Sequence, residues 1–320
     1  MMFLGFLRRA IHFSTAYLYG ATGEIITEKS GHLNLGIPGI MCMGAVGGCL
    51  FDVAYMQKFD DPSLMNPGAV IVLGLLGAII FGALMGMLYS FFADTLRCNQ
   101  NVTGLTITTF GVGVMKFWRM GMSEKEISLY YVRQCFAKTF PCAETIGDFG
   151  RLFFSYGTLV YLAIALAIIA TIVLKKTRIG LNLRAVGENP AAADAVGINV
   201  TRYKYLSTMI GCAISAIGGL FCIMEVTTSF TYPVDAVGWL AVALVIFSVW
   251  NPSIGILGSI VFAMLYYAPQ SLASSGVDAN LMEMLPYVAT IIVLIVISMI
   301  NKRETQPPAA LGLSYFREDR

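Results

Sequence analysis

The chain has 320 residues, 57% hydrophobic and only 12% charged, with a net charge of +2 and a mean hydropathy of +0.73. Soluble domains carry about 25% charged residues, and half that share cannot clothe a water-soluble surface of this size. A soluble enzyme, a secreted disulfide scaffold and a disordered chain are therefore excluded, and near-neutrality gives no footing for a nucleic-acid partner.

The charges are also clustered. Residues 62–93, 152–174, 205–224, 236–277 and 284–301 contain no Asp, Glu, Lys or Arg. A helix crosses a bilayer with about 20 apolar residues, so an all-α, polytopic membrane protein of eight or nine crossings is expected, as a single domain over 1–320. The expected spans are 11–27, 37–57, 69–93, 101–119, 155–174, 205–224, 236–250, 253–272 and 284–301. The opening MMFLGFLRRAIHFSTAYLYG runs straight into Glu24, Glu28 and Lys29 with no small-residue cleavage site, and is read as a retained first span. The stretch 101–119 holds five Thr or Asn side chains, which suits a bundle interior or a cavity wall better than lipid. The short span at 236–250 ends at Trp250-Asn251-Pro252, where proline breaks a helix. Such a break, and its faint echo at HLNLGIPG, points to broken or re-entrant segments, a feature of substrate paths.

Lys and Arg near span ends set orientation. The loop 175–204 carries Lys175, Lys176, Arg178, Arg184, Arg202 and Lys204 against Glu188 and Asp194, and is placed in the cytoplasm. The balanced loop 120–151 is placed outside. Counting back puts the first residues outside, against the preference of Arg8 and Arg9, so either the first segment is re-entrant or the rule is overridden there. Glu24 and Glu225 lie near span ends and are expected to reach water. Cys42, Cys49, Cys212 and Cys222 read as small packing residues, while Cys135 and Cys142 share a polar loop where a bridge is open.

Within 175–204, Asn189 suits a helix cap with Pro190 at the first helical position, AAADAV a short small-faced helix, and Gly197 its end. Glu188 and Asp194 are placed near the start of that helix, where its dipole favours acids. An ordinary capped connector presents the same residues.

RAVGENPAAADAVGI resembles the coupling-helix motif in permease subunits of ATP-binding-cassette importers, in the branch for simple sugars and nucleosides within the branched-chain amino acid and ribose permease family. EIITEKSGHLNLGIPGIMCMGAV, RCNQNVTGLTITTFGVGV, GWLAVALVIFSVWNPSIGILGSIVFAML and PPAALGLSYFRED resemble further segments of that branch, in the same order. The resemblance implies a transport subunit rather than an enzyme, without a cofactor of its own. ATP is used by a separate ATPase subunit, in keeping with the lack of a GxxxxGK[ST] motif here. It implies three further partners: a second, paralogous permease subunit, an extracytoplasmic substrate-binding lipoprotein and the lipid of a bacterial inner membrane. ATPase coupling would fall to Arg184, Gly187, Glu188, Asn189, Pro190, Ala193, Asp194 and Gly197. For the cargo, neutral polar groups and aromatic faces suit a ribose and a flat base. Asn34, Asn101, Thr103, Thr106, Phe230 and Trp239 are therefore the candidate path residues, although each also reads as a side chain bonded to a neighbouring helix or anchored at the interface. A purine nucleoside leads, with ribose, another simple sugar or a flavin-like compound as alternatives. A self-sufficient secondary transporter is the competing class, disfavoured because an ion relay wants several intramembrane carboxylates.

Overall fold

The computed structural model describes residues 2–61, 64–121, 126–138, 147–226, 233–272, 284–300 and 306–316. Among them the regular structure is helical: α1 (Met2–Glu28), α2 (Ile37–Met56), α3 (Pro67–Ser90), α4 (Gln100–Gly121), α5 (Glu126–Phe136), α6 (Gly147–Phe153), α7 (Thr158–Lys176), α8 (Arg178–Glu188), α9 (Pro190–Ala195), α10 (Val200–Phe221), α11 (Val234–Phe247), α12 (Pro252–Leu272) and α13 (Leu285–Ile300). Each expected span coincides with one of these within a few residues, except the first, whose helix begins well before residue 11. Ile37–Met56, Pro67–Thr95, Thr158–Lys176 and Val200–Val226 are long and apolar enough to cross a bilayer by length and composition. Isoleucine, leucine and valine side chains of α3, α7 and α13 stand exposed in belts, among them Leu76, Ile80, Ile169, Ile291 and Ile295. In a membrane protein this surface meets lipid.

Small residues set the packing. α2 lies at the centre, flanked by α3, α4, α10 and α11. A Cβ on Gly44 would strike the Ala216 carbonyl, and one on Gly219 the Met41 carbonyl, so α2 and α10 meet backbone to backbone. Gly39 and Gly111 bring α2 and α4 together in the same way, and Gly238 admits Pro38 against α11. In lipid such close approach, not hydrophobicity, drives helix association. Four cysteines join this packing: Cys42 and Cys49 on α2, Cys212 on α10 and Cys222 just beyond it are all buried. Cys142, and with it the Cys135–Cys142 bridge, lies outside the described residues.

The two ends of α1 settle its path. Near its start, the Arg8 guanidinium donates to the Ser155 carbonyl at 3.3 Å, just ahead of α7. Beyond its end, Gly31 lies against Gly187 and Ala310, next to the 175–204 loop. With 27 residues at about 1.5 Å each, α1 crosses the bundle fully. Arg8 and Arg9 lie at the end away from the basic loop.

α3 and α10 each finish in a π-helical turn, Phe91–Thr95 and Cys222–Val226. Each turn carries one acid, and each acid meets one of the chain's two histidines. His32 Nε2 lies 2.9 Å from Asp94 Oδ1 and its Nδ1 2.7 Å from Thr208 Oγ1. His12 Nε2 lies 3.2 Å from Glu225 Oε2. Burial lowers the pKa of His32 despite the opposing pull of Asp94. A neutral ring that donates from Nε2 to the carboxylate and accepts at Nδ1 from Thr208 satisfies both contacts.

Candidate functional site

The coupling segment is a small folded arm. Thr177 caps α8, its hydroxyl accepting from Gly180 N at 3.1 Å. Asn189 caps α9, its Oδ1 accepting from Ala192 N at 2.9 Å, with Pro190 at the first helical position. Gly197, at φ +87°, turns the chain away after α9, and Asn199 caps α10 with its Oδ1 on Arg202 N at 2.9 Å. Three caps within 23 residues make the path of this arm a local property of the sequence.

The arm has its own small core of Val186, Ala193 and Val200, against which Tyr203, Ile198 and Tyr315 pack. Ala193, one of the expected coupling residues, is 3% exposed and turned into that core. Gly187 is also interior: a Cβ there would strike the Lys29 carbonyl, so glycine is needed for close approach to the end of α1. Asp194 sits at the C-terminal end of α9, not in its first turn, and the Tyr315 hydroxyl donates to its Oδ2 at 2.9 Å. Without that donor, an acid there would oppose the helix dipole. Arg184 and Glu188 are exposed. The outward surface of α9 consists of Ala191, Ala192, Ala195 and, 77% exposed, Val196. Val196 closes the AAADAV stretch read from sequence as the small-faced helix, although it is not among the residues to which the resemblance assigns coupling.

The C-terminal segment straps this arm to α1. Ala310 N donates to the Gly187 carbonyl and Gly312 N to the Gly31 carbonyl, both at 3.0 Å, and Arg97 stacks its guanidinium 4.7 Å from the Phe316 ring centre. Gly31, at φ +92°, holds a backbone conformation that favours glycine. Arm, α1 and the α3–α4 turn are thereby joined at one end of the bundle.

The described candidate path residues differ in burial and in partners. Asn34 is fully buried at the break before α2, its Oδ1 accepting from Gly36 N at 2.9 Å and its amide reaching Cys212 Sγ at 3.6 Å. Thr103 is buried and its hydroxyl returns to the Asn99 carbonyl at 2.9 Å. Asn101 and Thr106 are exposed on the outside of α4 rather than in the interior of this bundle; Thr106 bonds the Val102 carbonyl at 2.8 Å. Thr and Asn can satisfy themselves on their own helix, so polarity did not require an interior position. Trp239 is 38% exposed on α11, and Phe230 lies outside the described residues.

Glu24, expected to reach water, is fully buried. Its Oε1 accepts from Asn34 N at 3.3 Å. Glu28, one helical turn on, is 5% exposed and accepts from the Trp250 indole N–H. Trp250 and Val249 both hold positive φ, +51° and +55°, at the α11–α12 break, a conformation that costs on the order of 1–3 kcal/mol per residue. The indole–carboxylate bond ties this strained break to α1. Trp250→Phe removes the donor and is expected to lower stability by about 1–3 kcal/mol, read as a drop in melting temperature in detergent. An unchanged melting temperature would remove the bond from the account. Glu225, the other acid expected to reach water, has a side chain only 1% exposed. It adjoins a cavity of about 460 Å³ at the far end of the bundle, shared with Arg8, Arg9 and His12.

Lipid-facing belts, glycine-mediated crossings and an outward arm between two spans define a multi-pass integral membrane protein. The chain belongs to the family of permease components of branched-chain amino acid transport systems, whose model matches residues 6–297. It is 31% identical to the nucleoside ABC transporter permease protein NupC of Lactococcus lactis over 95% of this chain and 94% of the relative. It is 32% identical to the guanosine ABC transporter permease protein NupQ of Bacillus subtilis over 94% and 92%, and 28% identical to the putative glucose ABC transporter permease protein TsgC13 of Haloferax volcanii over 98% of each. No solved structure matches the chain.

Proposed function

We propose that the chain is the membrane-spanning subunit of an ATP-driven nucleoside importer in a bacterial inner membrane, with the 175–204 loop in the cytoplasm. The observation that carries this reading is near full-length similarity to two relatives named for nucleosides and guanosine. A purine nucleoside is the leading cargo. A separate ATPase subunit receives the outer surface of α9, an extracytoplasmic lipoprotein delivers the cargo, and a second, paralogous permease completes the path. The exposed Thr106, Asn101 and Trp239 fit a path shared with that partner, since they stand on the outside of one chain and are uncharged. ATP-driven closure of the ATPase pair moves the arm, and the tail strap carries the motion to α1 as a rigid-body shift. The glucose-named relative favours a sugar as the second reading.

The test is uptake of labelled guanosine and glucose into vesicles holding either the complex purified through this chain or this chain alone. ATP-dependent guanosine accumulation by the complex, with none by the chain alone, is expected. Glucose accumulation without guanosine transfers the assignment to the sugar reading. Uphill uptake by the isolated chain overturns the importer reading in favour of a secondary transporter.

A further inference from the structure

At the arm's end of the bundle, a cavity of about 600 Å³ lies between Lys29, the last turns of α7, α8 and the α11–α12 break. Lys29, Lys175 and Arg184 line it against one lining acid, Glu188, and the Glu28 carboxylate lies behind it, bonded to the lining Trp250. Lys175 and Arg184 are exposed and Lys29 is half-buried. Burial pulls the Lys29 ammonium below its usual pKa; Glu188 and Glu28 oppose this, while Arg184 and Lys175 add to it. Three cations thus face two carboxylates, which leaves the cluster with an excess of positive charge.

The cavity also has a side facing the hydrocarbon. Its wall includes Thr171 on α7 and Ile254 on α12, and the Ser253 hydroxyl donates to Thr171 Oγ1 at 2.8 Å, which holds the two helices together there. Further into the membrane, Ile168 and Ile172 on α7 and Leu257 on α12 are exposed, Leu257 by 70%. Leu257 stands five residues beyond Pro252, a depth of about 7.5 Å along the helix. A pocket with an excess of positive charge thus adjoins an exposed apolar surface on α7 and α12.

We infer that this cavity binds the headgroup of an anionic phospholipid from the leaflet on the side of the coupling arm, its phosphodiester among Lys29, Lys175 and Arg184 and its acyl chains along α7 and α12. Basic pockets between membrane helices recognise acidic headgroups in this way. The inference rests on the geometry of this chain and not on the cargo or the ATPase.

Native mass spectrometry of the detergent-solubilised chain tests it, with dioleoyl phosphatidylglycerol, dioleoyl phosphatidylcholine and inorganic phosphate as probes. The wild-type chain is expected to retain phosphatidylglycerol about tenfold better than phosphatidylcholine, and millimolar inorganic phosphate is expected to leave that adduct in place. The paired change Lys29→Gln and Lys175→Gln is expected to reduce phosphatidylglycerol retention by about tenfold or more. Lys29→Arg with Lys175→Arg keeps the charge and is expected to keep retention within about twofold. Equal retention of the two lipids by the wild type overturns the inference, whether or not the glutamine pair folds. Displacement by inorganic phosphate overturns the lipid as the source of the anion, and undiminished retention in a folded glutamine pair overturns the site.

Discussion

Gly219→Leu is expected to eliminate recovery of the folded protein. The position lies on α10 where that helix crosses α2, and a Cβ would fall on the carbonyl of Met41. The obstacle is backbone, so no rotamer change can relieve it. The reciprocal contact of Gly44 with the Ala216 carbonyl lies in the same crossing, so separating the helices at one point loosens both. Overpacked cores ordinarily lose about 1–3 kcal/mol. Here the loss is larger, because α2 is enclosed by α3, α4, α10 and α11 and its displacement disturbs every neighbour. Fluorescence-detected size-exclusion chromatography of a tagged chain should show aggregate in place of the monodisperse peak. Gly113→Leu is the control: a Cβ there meets nothing within 4 Å, and a change within about 0.5 kcal/mol is expected. If both variants elute and melt as the wild type does, the backbone contact between α2 and α10 is not what holds the bundle.

Much of this architecture was legible because its physics is local. Runs without charge mark crossings, and the proline at 252 marks the break between α11 and α12. Asn189-Pro190 and Gly197 mark the two ends of α9. What stayed hidden depends on neighbours distant in sequence. The small side chains of Gly187 and Ala193 suit contact with a partner as well as with the chain itself, and only the approach of Lys29 and the Val186–Val200 core decides for the chain itself. Glu24 sits within reach of a span end, yet the break before α2 folds Asn34 over it. α8 is a polar stretch inside a basic loop whose buried faces, Leu183 and Val186, acquire meaning only when α10 and the tail are in place. The substrate path was least legible. Asn34 serves the turn before α2, while Asn101, Thr106 and Trp239 face away from the bundle, so polarity alone did not separate a path from a cap or a surface.

Val196→Asp is expected to reduce ATP-dependent uptake by about tenfold or more, while the melting temperature of the isolated chain stays unchanged. Val196 is 77% exposed and lies outside the arm's own core, so a carboxylate there disturbs nothing within the chain. On the proposed coupling reading, the same side chain enters a groove of the ATPase, where a buried charge costs on the order of 2 kcal/mol or more, enough for the tenfold effect. Ala193→Asp supplies the contrast: it forces a carboxylate into the Val186–Val200 core and should lower the melting temperature together with uptake. Glu188→Ala and Gly197→Leu complete the series. The first removes the carboxylate that receives Ala309 N at 3.4 Å; the second places a side chain at φ +87°, where an L-residue costs about 1–2 kcal/mol. Both are expected to leave the chain in the membrane and to separate ATP hydrolysis from uptake. The decisive comparison is between Val196 and Ala193. A docking knob fails at the exposed position without loss of stability, whereas a mere connector tolerates Val196→Asp at full uptake and fails only where its own core is breached.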